Sequence, residues 1–421
     1  MKTRALRLYG KNDLRLEEFE LPEPREDEIL ALVVSDSLCM SSYKALLQGA
    51  EHKRVPDDVA ERPIIIGHEF CGKLLKVGKK WESKFHAGEK FSIQPAVHYK
   101  GLPYSLGYSY PYVGGDATYV VIPNEVMEMG CLLPYNGEGF FGGSLAEPYS
   151  CVIGTFHAMY HITPDRYEHI MGVRRGGALA ILAGAGPMGL AALDYVIHSD
   201  PRPSKIIVTD IDQSRLERAE SILSPAAAKA QGVELKYLNT RDIEDQKGAL
   251  LSFSGEGGFD DVIVFAPVRP VVELADAILG RDGCLNFFSG PADPNFSAML
   301  NFYNVHYAGT HIVGTSGGNT DDLAEAIDMT GRGELNPAIL ITHIGGLDAA
   351  GKATAELPHI PGGKKLIYTG VDMPLTAIDD FGRLGETDPL FRKLDELCKK
   401  HNGLWNAEAE SVLLKARGCE V

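Results

Sequence analysis

Short apolar runs separated by Gly and Pro recur through the first third of the chain, which predicts short strands. The opening MKTRALRLYG reads as a first strand. Residues 28–39 (EILALVVSDSLC), 71–78 (CGKLLKVG), 89–95 (EKFSIQP) and 117–123 (ATYVVIP) follow the same pattern. Near residue 150 the pattern changes to strands alternating with helices. The continuous apolar run 178–184 (ALAILAG) predicts a fully buried strand, 187–199 a helix and 205–210 (KIIVTD) the next strand. Further strands are predicted at 260–267, 283–289 and 309–315. Such alternation predicts a parallel sheet covered by helices. A helix at 320–333, strands at 338–344 and 364–370, and a mainly helical tail (388–400 and 406–416) complete the chain. The aromatic, Gly-rich segment 95–115 reads as a long loop.

At 421 residues the chain is long enough for two domains. Its formal charge of −16 argues against a nucleic-acid partner, which would require a basic face. No signal peptide is read at the start. The longest weakly polar stretch, 176–197, is interrupted by Gly, Pro187 and Asp194, so no membrane span is expected. The seven cysteines (Cys39, Cys71, Cys131, Cys151, Cys284, Cys398 and Cys419) form no CxxC pair. A scattered odd set points to reduced thiols and a cytoplasmic location.

Two features carry chemistry. AGAGPMG sets Gly184, Gly186 and Gly189 as G-x-G-x-x-G between a strand and a helix, with Pro187 and Met188 opening the helix. Gly184 permits the tight turn, Gly186 lets backbone approach a pyrophosphate, and Gly189 allows helix–strand packing. The free N–H groups of the helix start face the phosphates. Asp210 ends the second strand, 21 positions beyond Gly189 (210 − 189). A carboxylate there binds the adenine ribose hydroxyls and repels a 2′-phosphate, which favours NAD over NADP. Arg215 is a candidate contact to the adenosine. A methyltransferase also uses a glycine loop and an acid after its second strand, but has no need of metal ligands in a β-rich first third. The second feature is the apolar run PIIIGHEFCG, which ends in Gly67, His68 and Glu69. With Cys39 and Glu147 they stand at strand ends or turns, but their spacing alone is no zinc signature.

Taken together, the Cys39-x-Ser41 turn, GHEFCGKLLKVG (67–78), GGDATYVVIP (114–123), Glu147-Pro148, GAGPMG (184–189) and VTDIDQSRL (208–216) resemble the zinc-dependent medium-chain dehydrogenase/reductase superfamily, in its sorbitol-dehydrogenase-like branch. The resemblance covers about residues 1–370. It implies an α/β fold in which a Rossmann domain (150–316) accompanies a β-rich GroES-like catalytic domain (1–149 and 317–421) with a C-terminal helical extension, the active site lying between them. It implies one catalytic zinc held by Cys39 and His68 with Glu147 or Glu69, and it leaves open which glutamate binds directly. Ser41 is the implied proton-relay hydroxyl. Relatives usually carry an acid and a histidine further along the relay. Ser42 and Lys44 stand there instead. The 95–115 loop lacks the four cysteines that hold a structural zinc in many relatives, so none is expected.

The Glu147 variant implies polyol or ketose substrates. The tail and residues 49–63 resemble the L-sorbose 1-phosphate reductase group, which interconverts L-sorbose 1-phosphate and D-glucitol 6-phosphate. A phosphate would need a cationic seat, for which Lys44, Lys53 and Arg54 are the candidates. Relatives assemble through the last strand of the nucleotide sheet, so a homo-dimer or tetramer is expected. His157 and His161, spaced i and i+4 on an expected helix, face one way. They read as a packing pair before a metal pair. The alternatives are a metal-independent quinone or enoyl reductase and a non-enzymatic dinucleotide sensor.

Overall fold

The computed structural model describes residues 1–163, 166–255 and 257–419, so the last two residues of the helical tail lie outside it. The chain divides into two compact units, one comprising Met1–Glu147 with Asn319–Val421 and the other Pro148–Gly318.

The first unit is built on an eight-stranded sheet. Its path runs Thr376–Ala377, Ile341–Gly346, Lys364–Tyr368, Ile29–Ser37, Phe70–Val77, Lys90–Ile93 and Leu132–Pro134, with Tyr119–Ile122 also pairing Ile29–Ser37. A second sheet joins Asp13–Glu20, Lys2–Gly10 and Ile64–Ile65. Ile29–Ser37 is almost entirely buried because it is flanked by strands on both edges, which explains its continuous apolar run. The core here includes Ile29, Val33, Phe70, Phe91, Ile93 and Val120, all nearly inaccessible.

Register fixes where the chemistry gathers. Ser37 lies opposite Leu366 on one side, and Asp36 lies opposite Phe70 on the other. Both neighbours run antiparallel to Ile29–Ser37. The start of Lys364–Tyr368, the end of Ile29–Ser37 and the start of Phe70–Val77 therefore meet at one end of the sheet. Lys364, Cys39 and Glu69 arrive at that end together. Backbone bonds lock the junction: Ser37 N–H donates to Glu69 O (3.1 Å) and Leu38 N–H to Lys365 O (2.9 Å).

The second unit is a six-stranded parallel sheet ordered Glu234–Asn239, Lys205–Asp210, Ala178–Leu182, Phe259–Val264, Leu279–Phe287, His311–Gly314. In chain order this is 3-2-1-4-5-6, the doubly wound dinucleotide-binding topology. Ala178–Leu182 is buried at every position, as its unbroken apolar run requires.

Two local expectations change. Cys39 precedes a nine-residue helix, Met40–Gln48, as its N-cap, so Ser41 lies in a first helical turn and not an isolated turn. The helix Phe141–Ala158 stops before His161, which sits on the strand Tyr160–Thr163. His157 and His161 therefore share no helix face. The β-favouring Tyr160, Ile162 and Thr163 pair with Glu168–Met171 and override helical spacing. His161 instead faces Asp261 (3.1 Å) and the backbone carbonyl of Asp282 (2.9 Å).

Candidate active site

The two-residue strand Ile64–Ile65 brings the chain to Gly67, where φ is +89°. A Cβ there would collide with Asp36 Oδ2 and lie 2.5 Å from Asp116 N, so only glycine fits. The turn directs His68 and Glu69 inward, and both are buried. Among the described residues, the potential ligand atoms of Cys39, His68 and Glu69 lie within 4.8 Å of one another. Glu147 stands outside that triplet. It is close enough that His68, Glu69, Cys39 and Lys364 all act on its charge. Its pKa is pushed up to about 7, by burial first.

The His68 ring is held on two sides. Ser42 Oγ lies 3.3 Å from Nδ1, and the Tyr108 hydroxyl lies 3.2 Å from Nδ1 and 3.4 Å from Nε2. Burial pushes the His68 pKa down, opposed by Glu147 and Glu69, so the ring is neutral near pH 7. Burial raises the pKa of both the Cys39 thiol and the Tyr108 hydroxyl, and nearby Ser41 acts against the rise in each. Burial, reinforced by the charge of Glu69, raises the Cys39 pKa.

Lys364 is the group that sequence reasoning missed. Its side chain is 6% exposed and its Nζ grips both carboxylate oxygens of Glu69, itself 1% exposed, the Oε2 contact being 2.6 Å. Burial opposes the ammonium charge, but Glu69, Cys39 and Glu147 outweigh it and raise the pKa. Behind Glu69, Asp36 accepts the Glu69 N–H (3.0 Å) and shares the interior with Asp116. Burial pushes Asp116 up to about 7 and Asp36 well above the carboxylate range, so this pair keeps a proton.

The donor set suits a divalent metal. A thiol, a neutral imidazole and carboxylates are zinc ligands, and a bound metal takes the thiol as thiolate. Cys39 thiolate, Glu69 and Glu147 then bring three negative charges and Lys364 returns one. The remainder of −2 (−3 + 1) is what one divalent cation cancels, and a buried charge requires such pairing. Proximity points to Glu69 as a ligand, whereas its grip by Lys364 points to Glu147. The ion pair is the stronger consideration, because both oxygens of Glu69 are engaged.

The charges of Arg54, Lys53 and Lys44 all act on His52. Burial, then the charges of Arg54, Lys53 and Lys44, push its pKa down to about 4. His52 stacks on Tyr108 at 5.4 Å, and the Arg54 guanidinium lies 5.5 Å from the same ring. Of the three cations, Arg54 is the one placed beside the ring that touches His68.

In the second unit Gly186 caps the helix Pro187–His198, and Pro187 opens it with Met188 in the first turn. A Cβ at Gly189 would collide with Gly184 O, while one at Gly186 meets nothing within 4 Å. The first is the close helix–strand approach and the second an open cradle for a phosphate. Asp210 Oδ2 accepts Ala185 N–H (3.2 Å), and Oδ1 accepts Ile211 N–H (2.8 Å) and Asp212 N–H (3.1 Å), which fixes the carboxylate beside the glycine loop. Arg215 is half-exposed and pairs with Asp212 at 3.8 Å. Among the described residues no helix is long and apolar enough to cross a membrane.

Residues 25–130 match the alcohol dehydrogenase GroES-like domain family. The chain is 51% identical to mannitol-1-phosphate 5-dehydrogenase of Aliivibrio fischeri, over 98% of each chain. It is also 51% identical to L-sorbose 1-phosphate reductase of Klebsiella pneumoniae, over 98% of this chain and 97% of that one. Among solved structures, 2R,3R-butanediol dehydrogenase from Bacillus subtilis shares the fold with a TM-score of 0.69 at 19% identity, over 87% of this chain and 99% of that one.

Proposed function

Because the chain belongs to the zinc-dependent medium-chain dehydrogenase/reductase superfamily, in its sorbitol-dehydrogenase-like branch, we propose that it is a zinc- and nicotinamide-dependent polyol dehydrogenase acting on a sugar phosphate. The reaction is hydride transfer between NAD(H) and a ketose or polyol phosphate of the class that interconverts L-sorbose 1-phosphate and D-glucitol 6-phosphate. The single observation that carries the reading is the Cys39–His68–Glu69 cluster, whose ligand atoms lie within 4.8 Å of one another.

Cys39 and His68 would hold the zinc, with Glu147 as the third protein ligand and Glu69 kept beside it by Lys364. When bound, the metal supplies Lewis acidity that polarises the substrate oxygen. Ser41, close enough to Tyr108 to act on its titration, would receive the alcohol proton. Lys44, Lys53 and Arg54 form the phosphate seat, Arg54 presenting a fork and the lysines point charges. Gly184, Gly186, Pro187, Met188 and Gly189 would receive the pyrophosphate, and Asp210 the adenine ribose, which favours NAD over NADP. Arg215 is the adenosine contact.

Two copies would pair through the sheet edge His311–Gly314. There Ile312 is exposed, as are Phe302, Tyr303 and Tyr307 of the preceding helix. The function is tested by following NADH oxidation with phosphorylated and unphosphorylated ketoses. Turnover of ketose phosphates is expected. NADH binding without turnover of any carbonyl compound would leave a dinucleotide sensor instead.

A further inference from the structure

The C-terminal helix Ala407–Ala416 carries two glutamates in its first turn, and one of them, Glu410, is 1% exposed. Its carboxylate is surrounded by donors from two other elements. Phe140 N–H donates to Oε2 at 2.7 Å, and Phe141 N–H and the Tyr368 hydroxyl donate to Oε1 at 3.0 and 2.7 Å. Trp405 Nε1–H donates to the Tyr368 oxygen at 2.7 Å, which leaves the tyrosine proton to Glu410. All three partners of Glu410 are donors. Burial raises its pKa, and the bonds from Tyr368, Phe140 and Phe141 act against that rise.

The two elements tied together both serve the metal site. Phe141 begins the helix Phe141–Ala158, in which Glu147 lies less than two turns onward. A carboxylate at this helix start satisfies free N–H groups and meets the positive dipole end, although it comes from 270 residues away in sequence. Tyr368 ends the strand Lys364–Tyr368, which Lys364 begins. The same helix start also packs on the strand that follows Glu69, since a Cβ at Gly143 would collide with Cys71 Sγ. The fit around the carboxylate is tight, and a Cβ at Gly139 would collide with Glu410 Oε2.

We propose that Glu410 is a positioning residue for the metal site, fixing through one buried carboxylate the helix that carries Glu147 and the strand that carries Lys364. This rests on the zinc reading above. It makes the tail a functional part of the catalytic unit, because withdrawing it releases two of the charged groups around the metal together.

The test uses the full-length protein loaded with cobalt(II), whose visible absorption reports ligand identity and geometry. Glu410→Gln keeps the volume but turns one acceptor into a donor facing an N–H. Tyr368→Phe leaves the carboxylate and removes one of its bonds, and remains informative if Glu410→Gln does not fold. Phe391→Ala is the control: it loosens packing of the tail helix Pro389–Lys400 without touching the Glu410 bonds. Both network variants are expected to change the cobalt bands and to release metal to a chelator about 10- to 100-fold faster. Phe391→Ala is expected to keep the wild-type spectrum even as thermal stability falls. Wild-type spectra and release rates in a folded Glu410→Gln or in Tyr368→Phe would overturn the proposal, as would an equal spectral change in Phe391→Ala. No cobalt bound by the wild type would overturn the zinc reading itself, and the positioning role with it.

Discussion

Substituting Lys364 by Met removes the cation from a fully buried pair and leaves Glu69 ionised in the interior. At the observed 2.6 Å and an effective dielectric of about 20, the gross attraction is roughly 6 kcal/mol. Desolvation of both ions offsets much of this, so the pair contributes little net stability over an apolar pair. Removing one partner alone strands the other, at a cost of about 3–5 kcal/mol. Removing both charges in Glu69→Gln/Lys364→Met should therefore recover at least about 2 kcal/mol of that loss. The assay is urea unfolding of the metal-free proteins followed by tryptophan fluorescence. The only two tryptophans, Trp81 and Trp405, both lie in the unit that contains the pair, so the signal reports that unit. In the Lys364→Met protein a zinc ion can take over the lost positive charge, so zinc should stabilise it more than wild type. A loss below about 1 kcal/mol in metal-free Lys364→Met, or a double variant less stable than the single, would refute the reasoning.

Four further outcomes follow from the same geometry. Lys53→Ala/Arg54→Ala should lower the kcat/KM preference for a phosphorylated over an unphosphorylated ketose at least about tenfold, about 1.4 kcal/mol. An unchanged ratio would place the phosphate elsewhere. Asp210→Ala should raise NADPH use relative to NADH, read from the ratio of kcat/KM values, since the repulsion of a 2′-phosphate is removed. Ser41→Ala should lower kcat about 10²-fold while zinc content stays at the wild-type level, measured by metal analysis beside steady-state kinetics. His52 has a folded pKa of about 4 against 6.5 unfolded, so the unfolded state binds the proton first. Stability from this group is fully present above pH 6.5 and is lost as pH falls toward 4. The loss is roughly 1–2 kcal/mol after discounting for the partly solvated ring, and His52→Gln should flatten that limb of an unfolding-versus-pH series.

The fold class was legible because its signals are local. The unbroken run at 178–184 required a strand covered on both faces, and the short apolar runs at 28–39 and 71–78 marked strands of the first unit. The two tail helices were likewise visible in their spacing. The site was legible only as separate parts. Cys39, His68 and Glu147 could be singled out by resemblance, but what gathers Cys39 and Glu69 is the register of three antiparallel strands, and no spacing reports register. Lys364 was illegible for a related reason. In GGKKLIYTG a lysine at a strand start looks solvated, and only the partner strand shows that it points at Glu69. Glu410 was hidden in the same way, as one of two glutamates on the last helix, its burial set by donors far away in sequence. His161 shows the reverse error: i, i+4 spacing suggested a helix face where β-favouring neighbours and a hairpin partner took the segment into a strand.

Metal dependence of hydride transfer tests the central claim most directly. Bound zinc is quantified per chain, and NADH oxidation is followed with a ketose phosphate before chelation, after complete metal removal and after zinc is returned. The account predicts one zinc per chain, loss of turnover on removal and recovery on return, with NADH binding retained throughout. Turnover that survives complete metal removal would contradict it and leave Cys39, His68 and the two glutamates without the role assigned to them.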